Sequence, residues 1–300
     1  MKKVIAICLS LVMCFGLLAG CGSDNNANSN TETTPGTNNN TQVSDSDSAG
    51  NDTQETKLTG VVNTNGSTSM EKVVKALGEV FMEENGGVTV NYSGQGSGAG
   101  VEAAINETAD IGLASRGLKD SEIENGAVAH IVALDGVAIV VNPENAVADL
   151  TVEQIARIFT GEVTNWSELG GADAPIAVYG REAGSGTRGA FEEIVGVVDT
   201  CVYANEYSST GDMIGSVAGN PNAIGYASLS AVNDTVKAVK VNGVDCTEDT
   251  IKDGSYEIQR PFVMITKEGV ALSAAAQAFL DYAMSGEAAE IIALAGAVAP

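Results

Sequence analysis

The stretch "YGREAGSGTRGAFEE" at residues 179–193 joins a strand-like end, a small turn and a helical pattern. The apolar segment before it ends at Arg181, a Gly-Ser-Gly-Thr turn follows at residues 184–187, and the helical pattern begins at residue 188. The first turn of a helix has unpaired N–H groups and the positive end of the helix dipole, and glycine allows close approach to the backbone. Arginine directly before such a turn predicts an anion site at the end of a strand.

The same order of strand, hydroxyl-rich turn and helix occurs twice more in the chain. It is found in "NTNGSTSMEK" at residues 63–72 and in "YSGQGSGAGVEAA" at residues 92–104. For any one of these turns, serine or threonine acting as an ordinary helix N-cap is the simpler explanation. Three such turns in one chain, one of them preceded by arginine, favour an anion site to which all three contribute.

Strand-like and helical patterns alternate around these turns from residue 57 to the end of the chain. The predicted strands are residues 58–64, 88–94, 109–115, 129–142, 175–181, 223–229, 236–243 and 260–267. The predicted helices are residues 69–85, 101–107, 151–159 and 188–196, with two more within residues 271–296. Alternation of this kind, with apolar strands, is typical of an α/β fold whose largely parallel sheets are covered by helices.

The first part of the chain has the composition of a secretory leader followed by a tether. Residues 1–20 contain two lysines, an apolar run and small residues, which predicts a signal peptide, with an uncleaved anchor helix as the alternative. Leu18-Ala19-Gly20-Cys21 resembles the lipobox of bacterial lipoproteins, which implies cleavage before Cys21 and acyl chains such as palmitate on its thiol. Residues 21–56 are polar and are predicted to be a disordered tether.

Charge and cysteine usage narrow the class of protein further. The formal net charge is −24, so we expect no general attraction to nucleic acid or to anionic lipid. Beyond the leader and Cys21, two cysteines remain, Cys201 and Cys246. They can form a disulfide or remain as two buried thiols, because sequence alone does not give their separation.

Motifs for nucleotide binding, hydrolysis and metal binding are absent from the sequence. "GQGSGAG" does not fit G-x-G-x-x-G, and no phosphate-loop motif or G-x-S-x-G elbow is found. The single histidine, His130, lies in an apolar strand pattern, and no His/Cys cluster has metal-ligand spacing. We therefore expect neither a cofactor nor a metal site, and no catalytic residues.

Several segments together resemble one family, the phosphate-binding lipoproteins of phosphate ABC importers. The segments are "GSTSM", "GQGSGAG", "ADIGLASRGL", "LTVEQIARIFTGEVTNWSELGG", "GREAGSGTRGAF" and "NPNAIGYASL", and they occur in family order. The resemblance implies an α/β, two-lobed periplasmic-binding-protein fold of type II, each lobe a mainly parallel sheet flanked by helices. Lobe 1 would comprise residues 57–139 plus 260–300, and lobe 2 residues 140–259.

The resemblance also implies which residues bind phosphate in the cleft between the lobes. These would be Thr68 and Ser69 from the first turn, Ser97 from the second, and Arg181, Ser185, Gly186 and Thr187 from the third.

The chain departs from part of the family at the position that accepts the phosphate proton. Ser115 stands where some members have an aspartate, and Ala183 stands where some have a second acid. Arg116 is expected beside the site as a second cation. Asp135, the one acid in an apolar strand region, is our candidate for the acceptor, with a turn role before glycine as the alternative. Glu182 and Ser115 are the next candidates.

The predicted function is capture of inorganic phosphate at the outer face of the cell membrane. The implied partners are the permease and ATPase of an ABC importer and, through lipid on Cys21, the membrane itself. Another tetrahedral oxyanion, such as sulfate or molybdate, remains an alternative ligand. A lipid-anchored hydrolase, and an adhesin or sensor that reuses the fold, remain as alternatives from other classes.

Overall fold

The computed structural model of the protein describes residues 57–300, which contain ten strands and nine α-helices. The leader, Cys21 and the tether predicted for residues 1–56 lie outside the described residues. The strands are β1 (Gly60–Gly66), β2 (Val88–Gly94), β3 (Ile111–Ala114), β4 (Ala127–Val141), β5 (Asp149–Leu150), β6 (Ala177–Arg181), β7 (Asn205–Tyr207), β8 (Ala223–Ser228), β9 (Lys237–Val241) and β10 (Gln259–Lys267). The helices are α1 (Glu71–Glu84), α2 (Ser97–Ile105), α3 (Asp120–Glu124), α4 (Val152–Phe159), α5 (Gly186–Val195), α6 (Thr210–Ala218), α7 (Glu248–Lys252), α8 (Ala274–Ala283) and α9 (Ala288–Leu294).

The strands form one continuous sheet in the order β2-β1-β3-β10-β4-β8-β6-β7, with β9 pairing with β4 and β5. Strands β1, β2 and β3 run parallel at one end, and β6, β7 and β8 run parallel at the other. The middle of the sheet is antiparallel, because β10 and β4 run opposite to their neighbours. The sheet is therefore mixed, with its parallel pairs grouped in two separate sets.

Strand β4 connects these two sets. Its residues from Ala127 to Gly136 pair with β10, and its residues from Val137 to Val141 pair with β8 and β9. Lobe 1 is defined as β1–β3, β10, the first part of β4 and helices α1–α3, α8 and α9. Lobe 2 is defined as the second part of β4, β5–β9 and helices α4–α7. The described chain is thus two-lobed, and a single strand carries the sheet from one lobe to the other.

Each lobe has its own hydrophobic core. The lobe 2 core is built around Trp166, Phe159 and Phe191, with Val298 from the end of the chain packed against it. The lobe 1 core contains Phe81, Phe262 and Phe279 and lies between α1, α8, α9 and the sheet, and a smaller cluster lies under α2. Because the two main cores are separate, the lobes can move relative to each other without opening either core.

All predicted elements are present, but the sequence patterns did not predict the short elements α3, β5 and α7, nor β7 and α6. The strands and helices predicted from periodicity all occur, with ends shifted by a few residues, and α2 begins at Ser97, so that its glycine-rich turn is already helical. Strand β7 is only three residues long, and the nine residues of α6 include two glycines, which weakens its helical pattern. None of the helices within residues 57–300 is both long and apolar enough to cross a membrane.

Gly66 gives a test of how tightly the first turn is built. It ends β1 at φ 141°, and a Cβ there would lie 2.1 Å from the Leu113 carbonyl oxygen and 2.9 Å from the Cα of Gly100. We expect Gly66→Ala to lower the free energy of unfolding by about 3 kcal/mol or more, because both backbone conformation and space oppose the methyl group.

The matched control is Gly86→Ala, because a Cβ at Gly86 would have no atom within 4 Å. Its effect should stay within about 1 kcal/mol. The measurement is the midpoint of urea unfolding at unchanged slope, and equal midpoints for the two variants would contradict the expectation.

Candidate functional site

The carboxyl ends of the parallel strands from both lobes meet where the lobes face each other. The turns after β1, β2 and β3 bring hydroxyl groups from lobe 1, and the ends of β6, β7 and β8 bring an arginine and further hydroxyl groups from lobe 2. The side chains gathered there are those of Thr68, Ser69, Ser97, Ser115, Arg181, Thr187, Thr210, Ser228 and Ser230. Strand ends at such a crevice are where open α/β sheets bind ligands.

Arg181 is the central side chain of this cluster, and its residue surface is only 1% exposed. Its Nη1 donates to Thr210 Oγ1 at 2.8 Å, and its Nη2 donates to Thr68 Oγ1 at 3.1 Å. Its Nε and Nη2 also donate to the carbonyl oxygens of Tyr207 and Ser208. The guanidinium group therefore joins hydroxyls of the two lobes.

Arg181 has no carboxylate partner among the ion pairs of residues 57–300. Burial lowers the pKa of Arg181 to about 10, and this shift is partly offset by the more distant acids Glu182 and Asp212. The group therefore remains charged at neutral pH. A buried cation without an opposite charge is unfavourable, so this position strongly favours an anion beside it.

The backbone of Arg181 is fixed from both sides. Its N–H donates to the Tyr226 hydroxyl at 3.1 Å, and its carbonyl oxygen accepts from Arg188 Nη1 at 3.0 Å. Arg188 is held in turn by Glu192 and Glu206 through ion pairs of 2.8 and 2.9 Å. The backbone position from which the Arg181 side chain extends is thus fixed by residues of lobe 2.

Direct contacts hold the two lobes together at the cluster. Ser69 Oγ lies 2.7 Å from Thr187 Oγ1 and 3.2 Å from Thr210 Oγ1. The backbone N–H of Gly98 donates to the Gly184 carbonyl oxygen at 3.0 Å. These contacts join lobe 1 turns to lobe 2 helix starts, so the structure shows the lobes closed on each other.

Ser97 and Ser115 lie on the lobe 1 side, facing the start of α5. Ser97 Oγ accepts from the Ser115 backbone N–H at 3.1 Å and lies 3.4 Å from Ser115 Oγ. A Cβ added to Gly186 would lie 2.2 Å from Ser97 Oγ and 3.0 Å from Ser115 Oγ. Glycine at position 186 is therefore what allows the first turn of α5 to approach these serines.

Asp135 meets the hydroxyl cluster at Ser228 and is paired with Arg260. It is fully buried on β4 and paired in register with Arg260 on β10, whose Nε and Nη2 donate to Asp135 Oδ2 at 3.1 and 3.0 Å. Ser228 Oγ donates to Asp135 Oδ1 at 2.7 Å. Arg260 Nη1 in turn donates to the carbonyl oxygen and Oγ of Ser115 at 3.0 and 3.2 Å. Asp135 therefore reaches the cluster directly at Ser228 and, by way of Arg260, at Ser115.

Burial raises the pKa of Asp135 and lowers that of Arg260, while the attraction between the two groups opposes both shifts. We regard them as a charged pair, because the guanidinium makes two hydrogen bonds to one carboxylate oxygen. Removal of either partner would leave a buried charge without compensation.

The remaining predicted site residues fall into two groups. Ser185 is close to the cluster but its hydroxyl caps α5, accepting from the Arg188 backbone N–H at 3.3 Å. Arg116 is not brought into the cluster: its Nη1 and Nη2 donate to Glu122 at 2.8 and 2.6 Å. Its side chain instead packs near Gly189 of α5, on the outer side of the contact between the lobes. Glu182 is half-buried, whereas Ala183 is exposed.

Thr210 and Arg260 were missed by the sequence analysis. Thr210 begins α6 after β7, in the segment "YSSTGD", which has the same order of strand, hydroxyl-rich turn and helix as the other three turns. That signal was present in the sequence. Arg260 had no such signal, because only pairing between β10 and β4 places it beside Asp135 and Ser115.

The two cysteines and the histidine of the described residues are not part of the hydroxyl cluster. Cys201 and Cys246 are both free, and burial raises their pKa values to about 11 and about 12. His130 Nε2 lies 2.9 Å from Thr266 Oγ1, between β4 and β10 of lobe 1. Within residues 57–300, no group of three or more acidic, histidine or cysteine side chains is arranged to hold a metal ion.

Comparison with known proteins agrees with this geometry. Residues 43–287 match the PBP superfamily domain. The phosphate-binding protein PstS of Bacillus subtilis strain 168 is 34% identical over 237 residues, which cover 77% of each chain. This chain belongs to the PstS family. Its predicted α/β, two-lobed fold is confirmed.

Solved structures extend the similarity of this PstS family member. A putative phosphate ABC transporter substrate-binding protein from Clostridium perfringens, solved with bound phosphate, is 40% identical with a TM-score of 0.78, covering 80% of this chain and 100% of that chain. An ABC-type phosphate transport receptor from Vibrio cholerae is 34% identical with a TM-score of 0.66 over the same shares.

Gly186 gives a test of the close approach between the lobes in this PstS family member. A Cβ there would lie 2.8 Å from the Cβ of Ser97 on the other lobe, which side-chain rotation cannot relieve. We expect Gly186→Ala to destabilise the closed arrangement by about 1–3 kcal/mol. The radius of gyration from small-angle X-ray scattering should therefore increase.

The matched control is Gly184→Ala on the same turn, because a Cβ at Gly184 would have no atom within 4 Å. Its scattering profile should match that of the unaltered protein. An unchanged radius of gyration for Gly186→Ala would show that the lobes tolerate the methyl group.

Proposed function

We propose that the protein captures inorganic phosphate between its two lobes, outside the cytoplasm, and delivers it to the permease and ATPase of an ABC importer. Phosphate would be bound by the turns after β1, β2 and β3 from lobe 1 and by Arg181 and the start of α5 from lobe 2. The relatives in the PstS family carry the name of phosphate-binding proteins, which supports this ligand.

The observation that carries the proposal is the buried charge of Arg181. The side chain is enclosed by hydroxyls and carbonyl oxygens, and no carboxylate among the described residues pairs with it. A tetrahedral oxyanion would supply the missing negative charge and would accept hydrogen bonds from several directions at once. Guanidinium groups suit such ligands because their N–H donors form a planar fork.

The negative net charge of the protein does not oppose this function. In a closed and partly dry cleft, nearby donors act through a low effective dielectric constant, whereas charges on the surface are screened by salt over about 8 Å. The charge of −24 affects the rate of capture more than the affinity.

The arrangement supports binding rather than catalysis. Most of the described hydroxyls of the cluster bond to one another, to guanidinium groups or to backbone N–H groups. Ser228 donates to a carboxylate, that of Asp135, but this carboxylate is fully buried and already paired with Arg260. A hydrolase would need an activated nucleophile or water. We therefore propose a transport receptor and not an enzyme.

Calorimetric titration tests the function and the role of Arg181 together. We expect phosphate to bind the unaltered protein, and Arg181→Ala to weaken binding by about 2–4 kcal/mol, since a buried charge partner is lost. The matched control is Arg157→Ala, because Arg157 is exposed and forms only a surface ion pair with Glu162 at 3.6 Å.

A loss of less than about tenfold in affinity for Arg181→Ala would contradict its role. Sulfate and molybdate are titrated alongside phosphate. Failure of all three anions to bind would favour an adhesin or sensor, and turnover of a phosphomonoester would favour a hydrolase.

The anchor is tested separately at Cys21, which we propose carries the lipid. Cys21→Ser should prevent lipid attachment, because the thiol is the acceptor. The protein should then leave the membrane fraction or remain as an unprocessed precursor. Fully processed protein that still sediments with membranes would rule out lipid on Cys21 as the anchor.

A further inference from the structure

We propose that residues 296–298, which follow α9, form a clasp that holds the two lobes together and positions the turn Leu229–Ala231 at the cleft. Gly296 and Val298 are thus positioning residues, which act on the ligand site from outside it. The effect of the clasp on affinity rests on the proposed binding of phosphate. The clasp itself is a contact between the lobes, so it can be tested without a ligand.

The clasp begins where the chain leaves α9 of lobe 1. Gly296 has φ 85°, in the left-handed region that glycine adopts most easily, and its N–H donates to the Ala293 carbonyl oxygen at 2.8 Å. The N–H of Ala297 donates to the Ile292 carbonyl oxygen at 3.1 Å. These two bonds end the helix and turn the chain away from it, so lobe 1 sets the direction of the clasp.

The side chains of the clasp belong to the cores of both lobes. Ala297 is buried in the lobe 1 core, whereas Val298 packs in the lobe 2 core. Val298 also forms an antiparallel bridge with Leu134 of β4, in which the N–H of Val298 donates at 2.9 Å and the N–H of Leu134 donates at 2.7 Å. Leu134 lies just before the part of β4 that enters lobe 2. The clasp therefore connects the two cores beside the strand that joins the lobes.

Gly296 brings the backbone of the clasp against the lobe 2 turn Leu229–Ala231. A Cβ at Gly296 would lie 3.1 Å from the Cα of Ser230 and 3.8 Å from its backbone nitrogen. The side chain of the same serine reaches a different part of lobe 1, because Ser230 Oγ donates to the Ser69 carbonyl oxygen at 3.3 Å. Ser230 is therefore held by two separate parts of lobe 1, the clasp and the turn after β1.

Ser230 belongs to the hydroxyl cluster, so a shift of its turn would reach the ligand site. Its Oγ lies 2.7 Å from Ser228 Oγ, which donates to Asp135. Ser69 Oγ in turn lies 2.7 Å from Thr187 Oγ1 on the other lobe. Displacement of the turn would disturb these buried bonds and favour separation of the lobes. Affinity for phosphate should then fall with the fraction of molecules that can close.

Gly296→Ala tests the contact with Ser230. The methyl group opposes the left-handed backbone and crowds the Cα of Ser230. The matched control is Gly196→Ala, because Gly196 ends α5 at φ 75° and a Cβ there would have no atom within 4 Å. Both variants carry a similar backbone cost, so a difference between them reports the contact between the clasp and lobe 2.

The measurements are calorimetric titration with phosphate and small-angle X-ray scattering of the ligand-free variants. We expect the phosphate Kd of Gly296→Ala to be at least about fivefold above that of Gly196→Ala, since fewer molecules are able to close. The radius of gyration of ligand-free Gly296→Ala should also be larger than that of ligand-free Gly196→Ala.

Val298→Ala tests the attachment of the clasp to the lobe 2 core. The matched control is Val88→Ala, because Val88 is 5% exposed and Val298 is 7% exposed, but Val88 lies in the lobe 1 core where β2 begins, at the opposite end of that strand from the cleft. Both changes should lower the midpoint of urea unfolding by similar amounts. Only Val298→Ala should weaken phosphate binding, by about five- to tenfold.

A cycle of two variants tests whether the clasp acts through Ser230. Ser230→Ala removes the hydroxyl that donates to the Ser69 carbonyl oxygen. Gly296→Ala should then raise the phosphate Kd by less than about twofold in the Ser230→Ala protein, compared with at least about fivefold in the unaltered protein. Equal factors in the two proteins would overturn the positioning role of Gly296.

Equal phosphate affinity and equal radius of gyration within either matched pair would overturn the clasp and leave phosphate capture intact. If the unaltered protein binds no phosphate, the proposed function fails, and the scattering of the ligand-free variants decides on the clasp. Should the clasp variants fail to fold, hydrogen exchange in the unaltered protein decides. The amides of Leu134 and Val298 should exchange more slowly with phosphate than without it, and unchanged exchange would overturn the clasp.

Discussion

The burial of one guanidinium group without a carboxylate partner is the constraint on which the rest of the site depends. Arg181 has its charge in a closed crevice, where the described acids Glu182 and Asp212 compensate it only at longer range. Folding satisfies its N–H groups with hydroxyl and carbonyl oxygens from both lobes, but these supply no net charge. An anion bound beside Arg181 would therefore recover a large free energy, to which both lobes would contribute.

A second buried cation, Arg260, connects that crevice to the strand that joins the lobes. It pairs with Asp135 across β10 and β4, just before β4 enters lobe 2, and it donates to Ser115 of lobe 1. From Asp135 the hydrogen bonds continue through Ser228 and Ser230 to the Ser69 carbonyl oxygen. The network links β4, the strand that joins the lobes, to both sides of the crevice.

The roles of the two arginines are different because their partners are different. Arg181 has neutral partners and leaves its charge available to a ligand, whereas Arg260 has its charge compensated by Asp135 and acts through Ser115. An acidic protein can thus bind an anion with one unpaired cation and a set of oriented hydroxyls. Placing these groups at strand ends and helix starts adds backbone N–H groups without adding further charge.

The sequence by itself determined the order of the longer elements and the three turns that supply Thr68, Ser69, Ser97, Arg181 and Thr187, because periodicity and turn chemistry are local properties. It also carried the signal for Thr210 in "YSSTGD", although the short strand before it obscured the pattern. Only the tertiary structure decided that Asp135 forms an ion pair with Arg260 and that Arg116 forms one with Glu122. The first pairing depends on the register of β4 and β10, which brings together residues 125 positions apart and leaves no local pattern in the chain. The second joins residues only six positions apart, but it depends on how the chain turns into α3 and on the direction of both side chains.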